Sequence, residues 1–413
     1  MDTPASHFKQ SIRLLMTRRF GTFWFASLLA NIGTWAQQVA QPWLLLSLGA
    51  SPFMLGLDSF ALGAPVLALT LVGGVLADRA DRRSVIAWFQ SIQMLCPTLL
   101  VVLLLNGAVQ PWMVIALSLV VGITDALSMP SFQTIVASIV ERRQLPTGIA
   151  LNTTQFNLSR ILGPSLAGVL MASVGAVGAF ALSAASYVPF IVVALWILPR
   201  AAVHSAAAAT PGHTSTFSGA RDVLAQPDLR GALLTVLVNS TLCAPLLTFC
   251  AVLVKEAFQG DISHFSLTMS AFGAGGLLGA VALLAIDPTR DQRLNSSWLA
   301  TGYAVVVVLA AVNPWAWGLP LLFVLGGVFM TGSNASANTH LQAMAPVAIR
   351  GQSVSLFMLA MRGGIAIGGL FTGVTVSLLG VREALLLNGV LALAAQFAVR
   401  RTWLRAGTPV AQG

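Results

Sequence analysis

Four ionisable side chains stand in stretches otherwise built for hydrocarbon: Asp58, Asp125, Arg160 and Arg362. A lone carboxylate or guanidinium is costly there unless it finds a counter-charge, water or, for an aspartate, a proton. A carboxylate in such a place can be held neutral by a proton, and an arginine beside it favours the charged form again, so a pair of this kind can load and release a proton. Counting about 1.5 Å per residue from the expected helix starts puts Asp125 roughly 10 Å, and Arg160 roughly 18 Å, from the same face of a core roughly 30 Å thick. The long arginine side chain spans that difference. Asp125 and Arg160 are the first expected pair, with a simple lock between two helices as the alternative. Asp58 lies toward the opposite face and Arg362 in the second half of the chain. The amides Asn31, Gln38, Asn157, Asn239, Asn334 and Asn338 have donors and acceptors for the polar parts of a solute, and Trp35 offers an apolar wall.

The elements that must position these groups follow from composition. Apolar residues make up 56% of the 413 and charged residues only 8%, far below the quarter expected of a water-soluble domain. Apolar runs of membrane-spanning length recur throughout, separated by short charged or Gly/Pro-rich turns. The expected fold is an all-α membrane protein of twelve transmembrane helices in two pseudo-symmetric six-helix bundles. Residues 1–19 form a cytoplasmic lead-in and 20–199 the first bundle. Residues 200–228, with an alanine run and Pro211-Gly212, form a linker; 229–402 form the second bundle and 403–413 a tail. Four amides in the first span, Asn31, Gln37, Gln38 and Gln41, require one side of that helix to face protein or a cavity. Sliding the chain by 205 positions places Gly122 on Gly327, Ser128 on Ser333, Gly163 on Gly368, Gly168 on Gly373 and Gly175 on Gly380. A colinear series at one offset points to duplicated units.

Charge sets the orientation. Of the 22 basic residues only Lys255 and Arg382 fall in the loops of one side; Arg160 and Arg362 lie within spans, and the remainder occupy the alternate loops and the two ends. By the positive-inside rule both termini and the linker are cytoplasmic. The formal charge of +9 does not describe a nucleic-acid binder, because the basic residues punctuate apolar runs instead of lining one face. Cys96, Cys243 and Cys250 are odd in number, lie in apolar context and lack metal-ligand spacing. No metal site, nucleotide-binding loop or catalytic constellation is expected.

The densest charge is the hairpin Gly73-Gly74-Val75-Leu76-Ala77-Asp78-Arg79-Ala80-Asp81-Arg82-Arg83. It resembles the signature between the second and third helices of the major facilitator superfamily, with Gly74, Leu76, Ala77, Asp78, Arg79, Arg82 and Arg83 matching and Asp81 standing where the pattern has glycine. Asn157-Leu158-Ser159-Arg160-Ile161-Leu162-Gly163-Pro164 followed by Ala167-Gly168 is similar to the Asn-x-x-Arg-x-x-Gly-Pro-x-x-Ala-Gly pattern of the branch holding enterobactin- and alcaligin-type siderophore exporters and drug:proton antiporters. Phe23-Trp24, Asn31-Ile32-Gly33, Asn338-Thr339-His340 and Arg350-Gly351-Gln352-Ser353 extend the likeness. Leu284 to Asp287 with Arg290 and Arg293 looks like an eroded second copy of the hairpin signature.

The resemblance implies a monomeric, multi-pass protein of the bacterial cytoplasmic membrane that exports a small amphiphilic organic solute, such as a siderophore, against an inward flow of protons. No cofactor is implied beyond the proton gradient. A multidrug antiporter, a metabolite uptake symporter and a non-transporting receptor stay open as alternatives. It also implies that Asp78, with Gly74, Arg79, Arg82 and Arg83, holds the cytoplasmic side shut against the start of the eleventh helix, and that Gly163, Pro164 and Gly168 restrict leak. Asp78→Asn should then leave the protein inserted and folded but strongly reduce transport, with cysteine labelling shifted away from an outward-facing state. Unchanged transport and labelling would reduce the hairpin to a topology signal.

Overall fold

The computed structural model describes residues 11–197, 216–284, 291–346 and 349–406, and among them the chain is built from helices and turns without a strand. The long helices are α1 (Arg18–Ser47), α2 (Pro52–Arg79), α3 (Arg82–Leu105), α4 (Pro111–Ile139), α5 (Leu145–Ser173) and α6 (Ala176–Trp196). After a short linker helix, α7 (Thr216–Ala225), come α8 (Pro227–Ala257, an interrupted helix), α9 (Ile262–Leu284), α10 (Gln292–Val312), α11 (Gly318–Met344), α12 (Arg350–Leu379) and α13 (Val381–Ala406). Among the described residues ten of these, all but α1, α5 and α7, are long and apolar enough to cross a membrane. α1 and α5 have the length, 30 and 29 residues, and fall outside that group because of polar side chains such as Gln37, Gln41, Gln155 and Asn157. Those side chains need not meet lipid, since α1 packs on α4, α5 and α6.

The helices group into two compact units. One takes the residues up to Leu48 and those from Ala68 to the linker; the other takes Gly49–Leu67 and the residues after the linker. The N-terminal part of α2 thus belongs with the second unit, apart from the rest of the first 199 residues. Its small residues are the cause: Gly56 lies against Gly369 and Gly373 of α12, and Gly63 against Ala366. Its C-terminal part belongs to the first unit, where Gly73 meets the backbone of Ala126 and Leu127 on α4.

In the first unit α1 packs on α4, α5 and α6, and in the second α8 packs on α10, α11, α12 and α13. Gly163 and Gly368, a pair at the offset of 205, do the same work in both units. Gly163 brings α5 onto the backbone of α1 at Ile32 and Ala36, and Gly368 brings α12 onto the backbone of α8 at Thr241. Pro245 lacks the N–H that would bond the Thr241 carbonyl, and the chain answers with a π turn over Asn239–Cys243, in which the Ala244 amide bonds Asn239 instead. Gly175 and Gly380, at the sharp turns after α5 and α12, have φ of 76° and 94°, where a side chain would be strained.

Both α3 and α10 begin in the same way. Asp81 accepts the backbone N–H of Arg83 at 3.3 Å and the hydroxyl of Ser84 at 3.1 Å, and Asp291 accepts the N–H of Arg293 at 2.9 Å. Asp81, the departure from the usual hairpin pattern, is therefore the N-cap of α3, which satisfies amides that would otherwise be orphaned at a helix start.

Overpacking tests the glycine contacts. Gly163→Leu and Gly368→Leu should each lower the melting temperature, in line with a cost of about 1–3 kcal/mol or more for forcing a side chain into a full interface. A serine at Thr98, which removes only a methyl and keeps the hydroxyl bonded back to its own helix, should leave it unchanged.

Candidate functional site

In the first unit the buried polar groups join into a ladder. Gln90 donates to Gln93 at 2.8 Å, and Gln93 donates to the carboxylate of Asp125 at 3.3 Å, linking α3 to α4. Gln90 and Gln93 are both buried, and Asp125 is half-buried. The phenol of Tyr187 lies within electrostatic reach of Asp125 and meets the Thr34 hydroxyl at 3.3 Å. Gln37 accepts from Ser183, and Gln41 donates to Ser118 at 2.7 Å, tying α1 to α6 and α4. Inspection of charge alone missed Gln90 and Gln93; their signal was two amides three residues apart, on one face of an otherwise apolar helix.

A second group forms where α1 meets α5. The Arg160 guanidinium sits over the Trp35 ring at 5.3 Å from its centroid, and Phe156 meets the same ring edge-on at 5.9 Å. Phe156 is exposed. Asn31 bonds back to Ser27 at 2.9 Å and reaches Gln155 at 3.4 Å. Gln38 is exposed, whereas Asn157 is buried and bonded back to Thr153 at 3.0 Å. A cation, two aromatic faces and an amide pair thus occupy one stretch of helix–helix contact. Gly163, Pro164 and Gly168 are buried on the same helix.

In the second unit Asn239 is deep in the core. It donates to Ser333 at 3.3 Å and accepts from Gln396 at 3.0 Å. Asn338 accepts from Gln342, and the Oδ1 of Asn334 is buried without a hydrogen-bond partner among the described residues. Asp58 is buried and Arg362 half-buried. Of the hairpin, the side chains of Asp78, Arg79 and Arg82, and Gly74, lie outside the described residues, as do Ala285, Ile286, Asp287 and Arg290 of the second copy. Arg83 pairs with Asp81 at 3.9 Å. In the second copy Arg293 bridges Asp291 at 3.0 Å and Asp228, at the start of α8, at 3.2 Å.

Helices long and apolar enough to cross a membrane, one of them carrying a carboxylate held by a side-chain amide, describe a multi-pass membrane protein, and the sequence matches make it a membrane transporter of the major facilitator type and not an enzyme. The sequence profile of the transmembrane secretion effector family matches residues 11–412, and the chain belongs to that family. It is 23% identical over 376 residues to the staphyloferrin A transporter of Staphylococcus aureus (strain NCTC 8325 / PS 47), covering 89% of this chain and 92% of that protein. It is 26% identical over 346 residues to the multidrug efflux pump Tap of Mycolicibacterium fortuitum, covering 80% and 83%. It is also 26% identical over 342 residues to the enterobactin exporter EntS of Salmonella choleraesuis (strain SC-B67), covering 81% and 80%. Among solved structures, the fold matches a bacterial homologue of the lysosomal transporter Spinster in an inward-facing, unoccupied conformation. The TM-score is 0.71 at 15% identity, covering 99% of this chain and 100% of that one. The nucleoside transporter NupG matches at 0.72 and 15%, covering 94% and 99%.

The cap of α10 carries a pH prediction. Burial works against the charged form of Asp291, but the hydrogen bonds from the Arg293 side chain and backbone outweigh it and hold the carboxyl below the ordinary carboxylate range. A depressed folded pKa gives stability that is complete above the unfolded carboxyl pKa and is lost as pH falls through the folded one. Asp291→Asn should therefore lower the melting temperature near neutral pH and converge with the parent protein as pH drops below about 4. A constant difference at all pH values would mean that the charge of Asp291 contributes nothing.

Proposed function

We propose that the protein is a proton-coupled secondary transporter of the bacterial cytoplasmic membrane that exports a small amphiphilic organic solute by alternating access. The observation that carries this is Asp125, a carboxylate within an apolar helix whose side chain is held by the Gln90–Gln93 ladder. A carboxylate in such surroundings can trade its charge for a proton. We read α1 and α5 as spans alongside the ten apolar helices, giving twelve spans in two bundles with both termini in the cytoplasm, and the working unit as a monomer. Bundle and linker boundaries follow the sequence: 20–199, 200–228 and 229–402.

Asp125 is the first candidate for the coupled proton and Arg160 its counter-charge; Asp58 and Arg362 are the reserve. Trp35, Phe156, Asn31, Gln38 and Asn157 in the first unit, with Asn239, Asn334 and Asn338 in the second, form the candidate solute contacts. Gly74, Asp78, Arg79, Arg82 and Arg83 serve as the gate, and Gly163, Pro164 and Gly168 form a close-packed strip of α5 that restricts leak. A guanidinium stacked on indole suits a solute with both aromatic and anionic parts. That chemistry, with relatives named for staphyloferrin A and enterobactin, favours a siderophore; the Tap relatives support drug efflux as the second reading.

Asp125→Asn should abolish efflux driven by an imposed pH gradient in proteoliposomes while leaving solute binding within a few-fold of the parent. Adding Arg160→Gln should restore folding lost in either single variant but not transport, because a pair that only neutralises burial tolerates loss of both partners better than loss of one. Recovery of transport in the double variant would remove Asp125 as the proton carrier.

A further inference from the structure

The last helix of the second unit ends in positive charge without a counter-charge. α13 carries Glu383 in its first turn, and no aspartate or glutamate follows it to the end of the sequence, whereas Arg400 and Arg401 stand just before the end of its apolar stretch at Trp403. α10, which packs along α13, has no acidic residue between Gln292 and Val312, and Asp291 ahead of it is engaged by Arg293. The two guanidiniums lie on aromatic rings instead. That of Arg400 is 3.8 Å from the ring centroid of Trp298 on α10, and that of Arg401 is 4.8 Å from the ring centroid of Phe397, one turn earlier on its own helix. Among the described residues neither guanidinium meets a carboxylate.

Both rings lie on the outside of the unit, Trp298 at 58% exposed and Phe397 at 60%. On α10 they continue an exposed apolar face with Val305 and Leu309, and on α13 one with Val390, the kind of surface that meets lipid tails on a spanning helix. Gly389 lets α13 touch the backbone of α10 at Val308. Arg400 lies eleven residues beyond Gly389 and Trp298 ten residues before Val308, so their contact keeps the antiparallel register of that crossing. At about 1.5 Å per residue Arg400 is about 28 Å from the start of α13, close to the far boundary of a core roughly 30 Å thick. Helical side chains point back toward the helix N-terminus, so both arginines reach from that boundary toward the apolar stretch. A guanidinium at such a depth on a lipid-facing surface is costly without an anion. A lipid phosphate is the anion found at that depth, and it matches the planar fork of guanidinium donors.

We propose that the surface where the end of α13 meets the start of α10 is a binding site for one anionic phospholipid. Arg400 and Arg401 hold its phosphodiester, Trp298 and Phe397 fix the planes of the two guanidiniums, and the acyl chains follow the exposed faces toward Val305 and Val390. An anionic headgroup of the phosphatidylglycerol kind fits better than a zwitterionic one, because an ethanolamine ammonium beside two arginines would meet like charge and no carboxylate. Because the lipid spans two helices, its binding stabilises the folded second unit. Lipid binding does not depend on transport; its assignment to the cytoplasmic leaflet rests on the orientation proposed above.

The site is tested by native mass spectrometry of the purified protein titrated with phosphatidylglycerol or with phosphatidylethanolamine of the same acyl chains. The parent protein should hold one phosphatidylglycerol more tightly than phosphatidylethanolamine. Arg400→Gln should weaken phosphatidylglycerol binding about tenfold, the loss expected for one hydrogen-bonded charge pair. Trp298→Ala should weaken it several-fold with every charge intact, a change to which general attraction between protein and lipid charge does not respond. Arg143→Gln removes an exposed positive charge of the first unit and should leave binding unchanged. Equal affinity for the two lipids, no loss in Arg400→Gln, or an equal loss in Arg143→Gln would overturn the proposal. Displacement of the lipid by inorganic phosphate would also overturn it, making the surface a site for a soluble anion. If Arg400→Gln does not fold, Arg401→Gln, at an exposed position, decides in the same way. The leaflet is read by Thr402→Cys, also exposed. It should react with a membrane-impermeant maleimide in inside-out vesicles and not in intact cells. The reverse would overturn the cytoplasmic assignment and the orientation behind it, with the lipid comparison still deciding the site.

Discussion

Hydrocarbon offers a peptide group nothing to bond with, and that constraint organises the whole chain. Each N–H and C=O has to be satisfied within its own helix, so the described residues form long helices and short turns. The same constraint governs side chains. Polar groups survive inside such a protein by bonding back to their own helix, as Asn157 does to Thr153, or by finding a partner on the next one, as Gln41 does on Ser118. Helices that carry many such groups need neighbours to cover them, and α1 packs on three helices of its unit and α8 on four.

Where hydrophobic attraction cannot tell one helix from lipid, close packing must hold helices together, and small residues make it possible. Gly163 and Gly368 bring helix backbones into contact at matching positions of the two units. Gly275 and Gly327 do the same between α9 and α11. These contacts also fix which polar groups can meet. The approach of α5 to α1 at Gly163 sets Arg160 over Trp35, and the approach of α12 to α8 at Gly368 stands beside the π turn that holds Asn239.

Most of the architecture was legible in the sequence because the membrane imposes a simple code. Length and apolarity mark the helices, charge marks their ends, and a regular offset between glycines marks duplication. The candidate site was less legible. Asp125 and Arg160 stood out as charges out of place, but Gln90 and Gln93, which hold Asp125, are ordinary amides whose importance lies in the helix they face. Asp81 looked like a defect in a motif and is the N-cap of α3.

The sequence by itself determined the apolar character of this protein, the approximate extents of its helices and the presence of ionisable groups within apolar stretches, because each depends on composition along a single segment. Tertiary structure alone decided partners. Gln93 meets Asp125 across two helices, Arg293 reaches Asp228 from 65 residues away, and the hydrogen bond from Gln396 to Asn239 joins segments 157 residues apart. It also decided that α2 divides between the two units, since its glycines meet α12 at one end and α4 at the other. Contacts of this kind depend on how helix faces rotate toward one another, which a periodicity of 3.6 residues leaves open until the neighbouring helices are in place.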